Sequence, residues 1–182
     1  MKIGIIGVGM LGEAVALNLL NLGFQVSVYN RTKEKLSKVE KNGAKVMNSP
    51  KLVADNSELI IIIVKDAVAV KEVSFGKEGI IESKNKKLIV ADMSTIEPKE
   101  SKEIADNFKQ KQIQKLEIPV MGGPNVAITG KLVMMVSGPK NSYEQCRTIF
   151  EKIANKVFFL GEQGTANSIK LAMNLQITML AL

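Results

Sequence analysis

Lys2 to Gly12 reads KIGIIGVGMLG, which places Gly7, Val8, Gly9, Met10, Leu11 and Gly12 as G-x-G-x-x-G behind a short apolar run and ahead of a longer apolar stretch. This spacing suits diphosphate binding by main chain. The first glycine permits a tight turn, the second lets the backbone approach a pyrophosphate, and the third lets a helix pack closely on a strand. The helix start adds free N–H groups and the positive end of its dipole. A turn without a ligand is the plainer reading. The preceding strand, the following helix and a second strand at the right distance favour a dinucleotide. About 20 residues beyond the glycines, an acidic side chain would hold the ribose hydroxyls of NAD. The chain has Asn30 and Arg31 there, with Thr32 and Lys35 close by. A guanidinium pairs with a 2′-phosphate and stacks on adenine, so the group predicts NADP in preference to NAD. The alternative is an ordinary basic helix start.

Two later stretches could act at the other end of such a cofactor. Asp92 to Thr95 follows an expected strand, where an open α/β sheet places its ligand crevice. Pro119 to Pro124 also follows a strand, and Gly122 with Gly123 exposes amides that could hold a small carboxylate.

Composition narrows the chemistry. The 182 residues include no histidine and one cysteine, Cys146. Histidine-dependent nucleophiles, histidine-ligated metals, thiolate clusters and internal disulfides are excluded, and no metal site is expected. Proton transfer is left to Lys, Asp, Glu or Tyr. The cysteine usage fits a reducing, cytoplasmic setting. The net charge is +7, yet only Arg31 and Arg147 are arginine and the lysines are scattered, which predicts no nucleic-acid surface. Glycines break the apolar amino terminus, so it does not read as a secretion signal. The apolar carboxyl end is shorter than the roughly 20 residues of a bilayer span, and no membrane segment is expected.

These groups need a layered scaffold to hold them. Ile- and Val-rich runs alternate with polar stretches of helical period, which predicts an α/β fold with a Rossmann-type, doubly wound, mostly parallel sheet. Strands are expected at Lys2 to Ile6, Gln25 to Tyr29, Leu59 to Val64, Lys87 to Ala91, Leu116 to Val120, Leu132 to Ser137 and Val157 to Leu160, with a weaker one at Ala44 to Met47. Helices are expected at Leu11 to Leu22, Lys33 to Lys41, Ala67 to Phe75, Pro98 to Lys111 and Asn141 to Ala154. Ser49-Pro50 reads as loop punctuation. From Thr165 a further helix is apolar on nearly every side except the face of Ala166, Lys170, Asn174 and Thr178, so something must cover it.

Read with the glycine loop, three stretches resemble the β-hydroxyacid dehydrogenase family, which contains 3-hydroxyisobutyrate dehydrogenase and relatives of 6-phosphogluconate dehydrogenase. They are Asp92-Met93-Ser94-Thr95, Pro119 to Pro124, and Gly161 through Gly164 to Lys170 and Asn174. The resemblance covers the whole chain. It implies that Thr95, with Val64 and Lys65, contacts the cofactor near the nicotinamide; the other reading of Thr95 is a helix cap. It implies that Lys170 is the general acid/base and that Asn174, one turn on, orients the substrate. A lysine can serve if burial or nearby positive charge lowers its pKa. Without the resemblance, Lys170 reads as a lysine snorkelling from an apolar helix.

Met121 stands where the family usually has a substrate-binding serine, which points to a different or more apolar substrate. Met173 stands where the decarboxylating 6-phosphogluconate enzymes carry histidine, which argues against that reaction. Imine reductases, a related group, generally lack the lysine. The expected function is therefore interconversion of a small hydroxy acid and its oxo acid or semialdehyde with NADP. The alternative is a dinucleotide-binding module without turnover of its own. The resemblance further implies an NADP domain over residues 1–163, with 164–182 opening a helix toward an all-helical second domain. Homo-oligomers are expected to form through that helix.

Overall fold

The computed structural model describes residues 1–85 and 87–180. Along these residues run β1 (Ile3–Ile6), α1 (Met10–Asn21), β2 (Val26–Tyr29), a 3-10 turn at Lys33–Leu36 leading into α2 (Ser37–Lys41), β3 (Lys45–Val46), α3 (Pro50–Asp55), β4 (Leu59–Ile62) and α4 (Ala67–Phe75). After a second 3-10 turn come β5 (Ile89–Asp92), α5 (Pro98–Gln110), β6 (Gln114–Glu117), β7 (Val120–Met121), α6 (Pro124–Ala127), β8 (Leu132–Val136), α7 (Lys140–Ile153), β9 (Ala154–Phe159) and α8 (Thr165–Leu180).

The first six strands form one parallel sheet in the order β3-β2-β1-β4-β5-β6. The order reverses between β1 and β4, the point at which a doubly wound sheet opens a crevice. Alternation along each strand separates two cores. Ile3, Ile5, Val28, Ile61 and Ala91 pack with α1, α2 and α7 on one face. Ile6, Ile60, Ile62 and Val90 pack with α3, α4 and α5 on the other. Both faces are covered, which is why these strands read as continuous apolar runs.

Strands β7, β8 and β9 form a second sheet, with β7 antiparallel to β8 and β9 parallel to it. The single strand expected over Leu116 to Val120 is therefore two. Pro119 has no N–H to donate to a ladder, and the chain crosses there from one sheet to the other. Ser49-Pro50 opens α3, with Ser49 Oγ accepting the Leu52 N–H at 3.3 Å and Pro50 in the first turn. Helix α6 was also unexpected. The last strand starts at Ala154, three residues before the expected Val157.

Candidate cofactor cleft and lysine site

The glycine loop leaves β1 and enters α1 beside a cleft of about 430 Å³. Gly7 has φ +100°, and a Cβ there would overlap the carbonyl oxygen of Ile63. A Cβ at Gly12 would overlap the carbonyl oxygen of Gly7, so the helix sits against the loop itself. A Cβ at Gly9 would meet nothing within 4 Å. Two glycines are thus required by the protein's own packing, while the third faces open space at the start of a helix, as an approaching diphosphate requires. Of the remaining loop residues, Val8 is buried, Leu11 packs on the core and Met10 is exposed.

At the next strand end, Asn30, Arg31, Thr32 and Lys35 all line the cleft, joined by Val64 and Lys65 from the end of β4. Asn30 has a structural task. Its Oδ1 accepts the Val8 N–H at 2.9 Å and its Nδ2 donates to the Thr32 carbonyl at 2.8 Å, tying the glycine loop to β2. Its side chain is thus engaged by protein at the edge of the cleft it lines. Arg31 is largely exposed and lies 3.7 Å from Glu72 of α4. Thr32 precedes the 3-10 turn without a side-chain cap bond. Lys65 is exposed beside Asp66, 3.2 Å away. The Asp66 carboxylate accepts the Ala69 N–H at the start of α4, and that bond is the main cause holding its carboxyl below the usual range.

The candidate lysine site is assembled from distant segments. Ser94 Oγ accepts the Val64 N–H at 3.1 Å, and the Ser94 N–H donates to Asp92 Oδ1 at 3.0 Å. Thr95 lies on this loop, half-buried, outside the residues that line the cleft. It does not cap α5, whose cap position is Glu97 with no side-chain bond. The next amide, Ile96 N–H, donates to Asn167 Oδ1 of α8 at 3.1 Å. One turn beyond Asn167, Lys170 directs its Nζ to the sulfur of Met121 at 2.9 Å. Burial pushes the Lys170 amine below its ordinary value of 10.5. Gly122 and Gly123 are exposed just past Met121, with Gly122 at φ +119°. Asn174 is exposed one turn after Lys170. The structure thus brings Lys170 to Met121 and, through Asn167, the start of the same helix to the Thr95 loop, while Gly122, Gly123 and Asn174 are exposed.

Sequence reasoning named Asp92 but missed the buried polar residues around it. Lys115 and Asp92 form a fully buried ion pair at 3.4 Å, and Lys115 Nζ also donates to Ser101 Oγ at 2.9 Å. Glu117, Ser137 and Asn167 are buried beside them. The available signal was charge inside an apolar strand, at Lys115 and Glu117, because buried charges need specific partners.

The sheet order, the switch-point cleft and the glycine loop define a dinucleotide-binding domain. Residues 2–161 match the family described as the NAD binding domain of 6-phosphogluconate dehydrogenase. The chain belongs to that family, together with 3-hydroxyisobutyrate dehydrogenases and related oxidoreductases. The uncharacterized oxidoreductase YkwC of Bacillus subtilis is 35% identical over 175 residues, which are 96% of this chain and 61% of that protein. A probable mitochondrial 3-hydroxyisobutyrate dehydrogenase of Dictyostelium discoideum is 31% identical over 95% of this chain and 54% of its own length. The solved structure of Psf3 in complex with NADP+ and 2-OPP is similar with a TM-score of 0.92 at 28% identity, over 96% of this chain and 62% of that one. The chain therefore spans less than two thirds of these relatives. Among the described residues, no helix is long and apolar enough to cross a membrane.

Proposed function

We propose that this chain forms the cofactor half of an NADP-preferring oxidoreductase that interconverts a small hydroxy acid and its oxo acid or semialdehyde, with Lys170 as general acid/base. One observation carries the reading. A half-buried amine with a lowered pKa stands one helical turn from the bond between Asn167 and Ile96, and that loop is bonded in turn to Val64 at the cleft. When bound, the nicotinamide supplies or accepts hydride. The protein supplies the proton path: Lys170 Nζ takes the hydroxyl proton in oxidation and returns it in reduction. Gly122 and Gly123 offer main-chain donors to the substrate acid, and Asn174 orients it. Arg31 and Lys35 at the adenosine end support NADP over NAD, as does the NADP+ complex of Psf3.

The test is semialdehyde reduction by the intact gene product and its Lys170→Ala variant. Turnover should fall about 100- to 10,000-fold, the usual contribution of a general acid, with NADP affinity unchanged. Unchanged turnover would remove Lys170 from the chemistry. A dinucleotide-binding module without turnover is the second reading, favoured by the exposure of Leu175, Ile177, Met179 and Leu180 along α8, which leaves the lysine helix uncovered. It predicts NADP binding by the 182-residue chain with no reduction of any semialdehyde.

A further inference from the structure

We propose that Glu117 is a positioning residue: from β6 its carboxylate, together with the Ser137 hydroxyl, caps the start of α8 and so fixes Lys170 beside Met121, one turn from the Asn167 that holds the Thr95 loop. Glu117 is fully buried. Its Oε1 accepts the Gly164 N–H at 2.8 Å, and its Oε2 accepts the Ser137 hydroxyl at 2.6 Å and the Asn167 N–H at 3.4 Å. Ser137 Oγ in turn accepts the Ala166 N–H at 3.2 Å.

A helix leaves its first amides without intrahelical partners. In α8 the first intrahelical bond runs from the Ser168 N–H to the Gly164 carbonyl, so the amides before it need outside acceptors. The Thr165 N–H finds the Glu162 carbonyl, and those of Ala166 and Asn167 find Ser137 and Glu117. The cap is borrowed from two strands of different sheets, β6 and the end of β8. Electrostatics agree. Asp92 stands in register with Glu117 on the neighbouring strand and takes the Lys115 ammonium. Among the described residues, no ion pair reaches Glu117. Its charge instead meets oriented donors and the positive end of the α8 dipole.

The consequence is positional. Asn167, held at its amide by Glu117, uses its side chain to bond Ile96, next to Thr95. Lys170 follows one turn later and touches Met121, four residues after Glu117. Side chains on a helix lean toward its N-terminus, so the start of α8 sets where the amine lies. One carboxylate thus controls the spacing of the lysine, the Met121 strand and the Thr95 loop. The catalytic consequence rests on the function proposed above; the capping does not.

The experiment is Glu117→Gln in the intact gene product. The amide is isosteric, but its NH₂ would face N–H or O–H donors. Hydrogen exchange at Ala166, Asn167 and Ile96 should quicken at least tenfold, while amides of β1 to β4 keep wild-type rates. For semialdehyde reduction, kcat should fall at least tenfold with little change in KM and with NADP affinity within about twofold of wild type. Glu117→Asp, which keeps the charge on a shorter arm, should recover part of kcat. If Glu117→Gln does not fold, Ser137→Ala should quicken exchange chiefly at Ala166 and lower kcat to a smaller degree. Wild-type exchange at these amides, or a loss of NADP affinity parallel to that of kcat, would overturn the proposal. If the wild-type enzyme reduces no semialdehyde, the proposed function fails, and exchange alone still decides whether Glu117 caps α8.

Discussion

The two ends of the crevice are built in opposite ways. The adenosine end is local: its glycine turn, Asn30 and Arg31 all come from one strand-helix-strand unit, and one side chain, Asn30, ties the turn to the neighbouring strand. The lysine end is assembled from the loop after β5, the strand pair β6 and β8, and the start of α8, joined by buried polar atoms far apart in sequence. A local site depends on backbone geometry, so steric changes break it. An assembled site depends on satisfied buried polar groups, so changes of charge and hydrogen bonding break it.

The strongest way to break this contrast is Gly12→Ala. Its methyl would overlap the Gly7 carbonyl. Overpacking of this kind costs about 1–3 kcal/mol, so Tm should drop by several degrees, and NADP titration should show binding lost as the loop shifts. Gly9→Ala sharpens the point because its methyl meets no protein atom. Melting should stay near wild type while NADP binding weakens about tenfold or more, roughly 1.4 kcal/mol, because the methyl occupies the space a pyrophosphate would need. Equal loss of stability in the two variants would show that the open space at Gly9 is not a ligand site.

Arg31→Ala comes next. The side chain is exposed, so screening limits its contribution. NADP affinity should fall by about three- to tenfold while NAD affinity changes less than twofold, as measured by paired titrations. Equal NADP and NAD affinities in both proteins would end the 2′-phosphate argument.

The smallest effect concerns pH at the opposite end. In the role proposed for Lys170, oxidation would use its neutral amine, so the rate should rise with pH and level off below the 10.5 of an ordinary lysine. Reduction requires the ammonium and should fall through the same range. A midpoint at or above 10.5 in both directions would show that burial does not tune this amine.

Much of the fold was legible because its signals are short-range. The Ile- and Val-rich runs predicted the parallel sheet, and the spacing of Gly7, Gly9 and Gly12 marked the turn from β1 into α1. The boundary at Pro119 was missed because an apolar run reads the same whether or not the chain changes sheets within it. Ser49-Pro50 was assigned to a loop although a capping residue followed by proline also opens helices. Asn30 reads as a cofactor contact and does line the cleft, but its side-chain bond to the Val8 amide was not legible. Local sequence does not show whether a polar side chain at a strand end faces solvent, ligand or a neighbouring loop.

By itself the sequence determined the backbone-limited features: which segments bury both faces, where the chain must turn with positive φ, and which proton carriers exist in a chain without histidine. These follow from residue type and period. Only the tertiary structure decided that Glu117 and Ser137 satisfy the first amides of α8, that Asn167 holds the Thr95 loop, and that the Lys170 amine rests against Met121. The reason is that a buried donor or acceptor must be paired, while the partner that pairs it is chosen by packing across some 30 to 70 residues of chain.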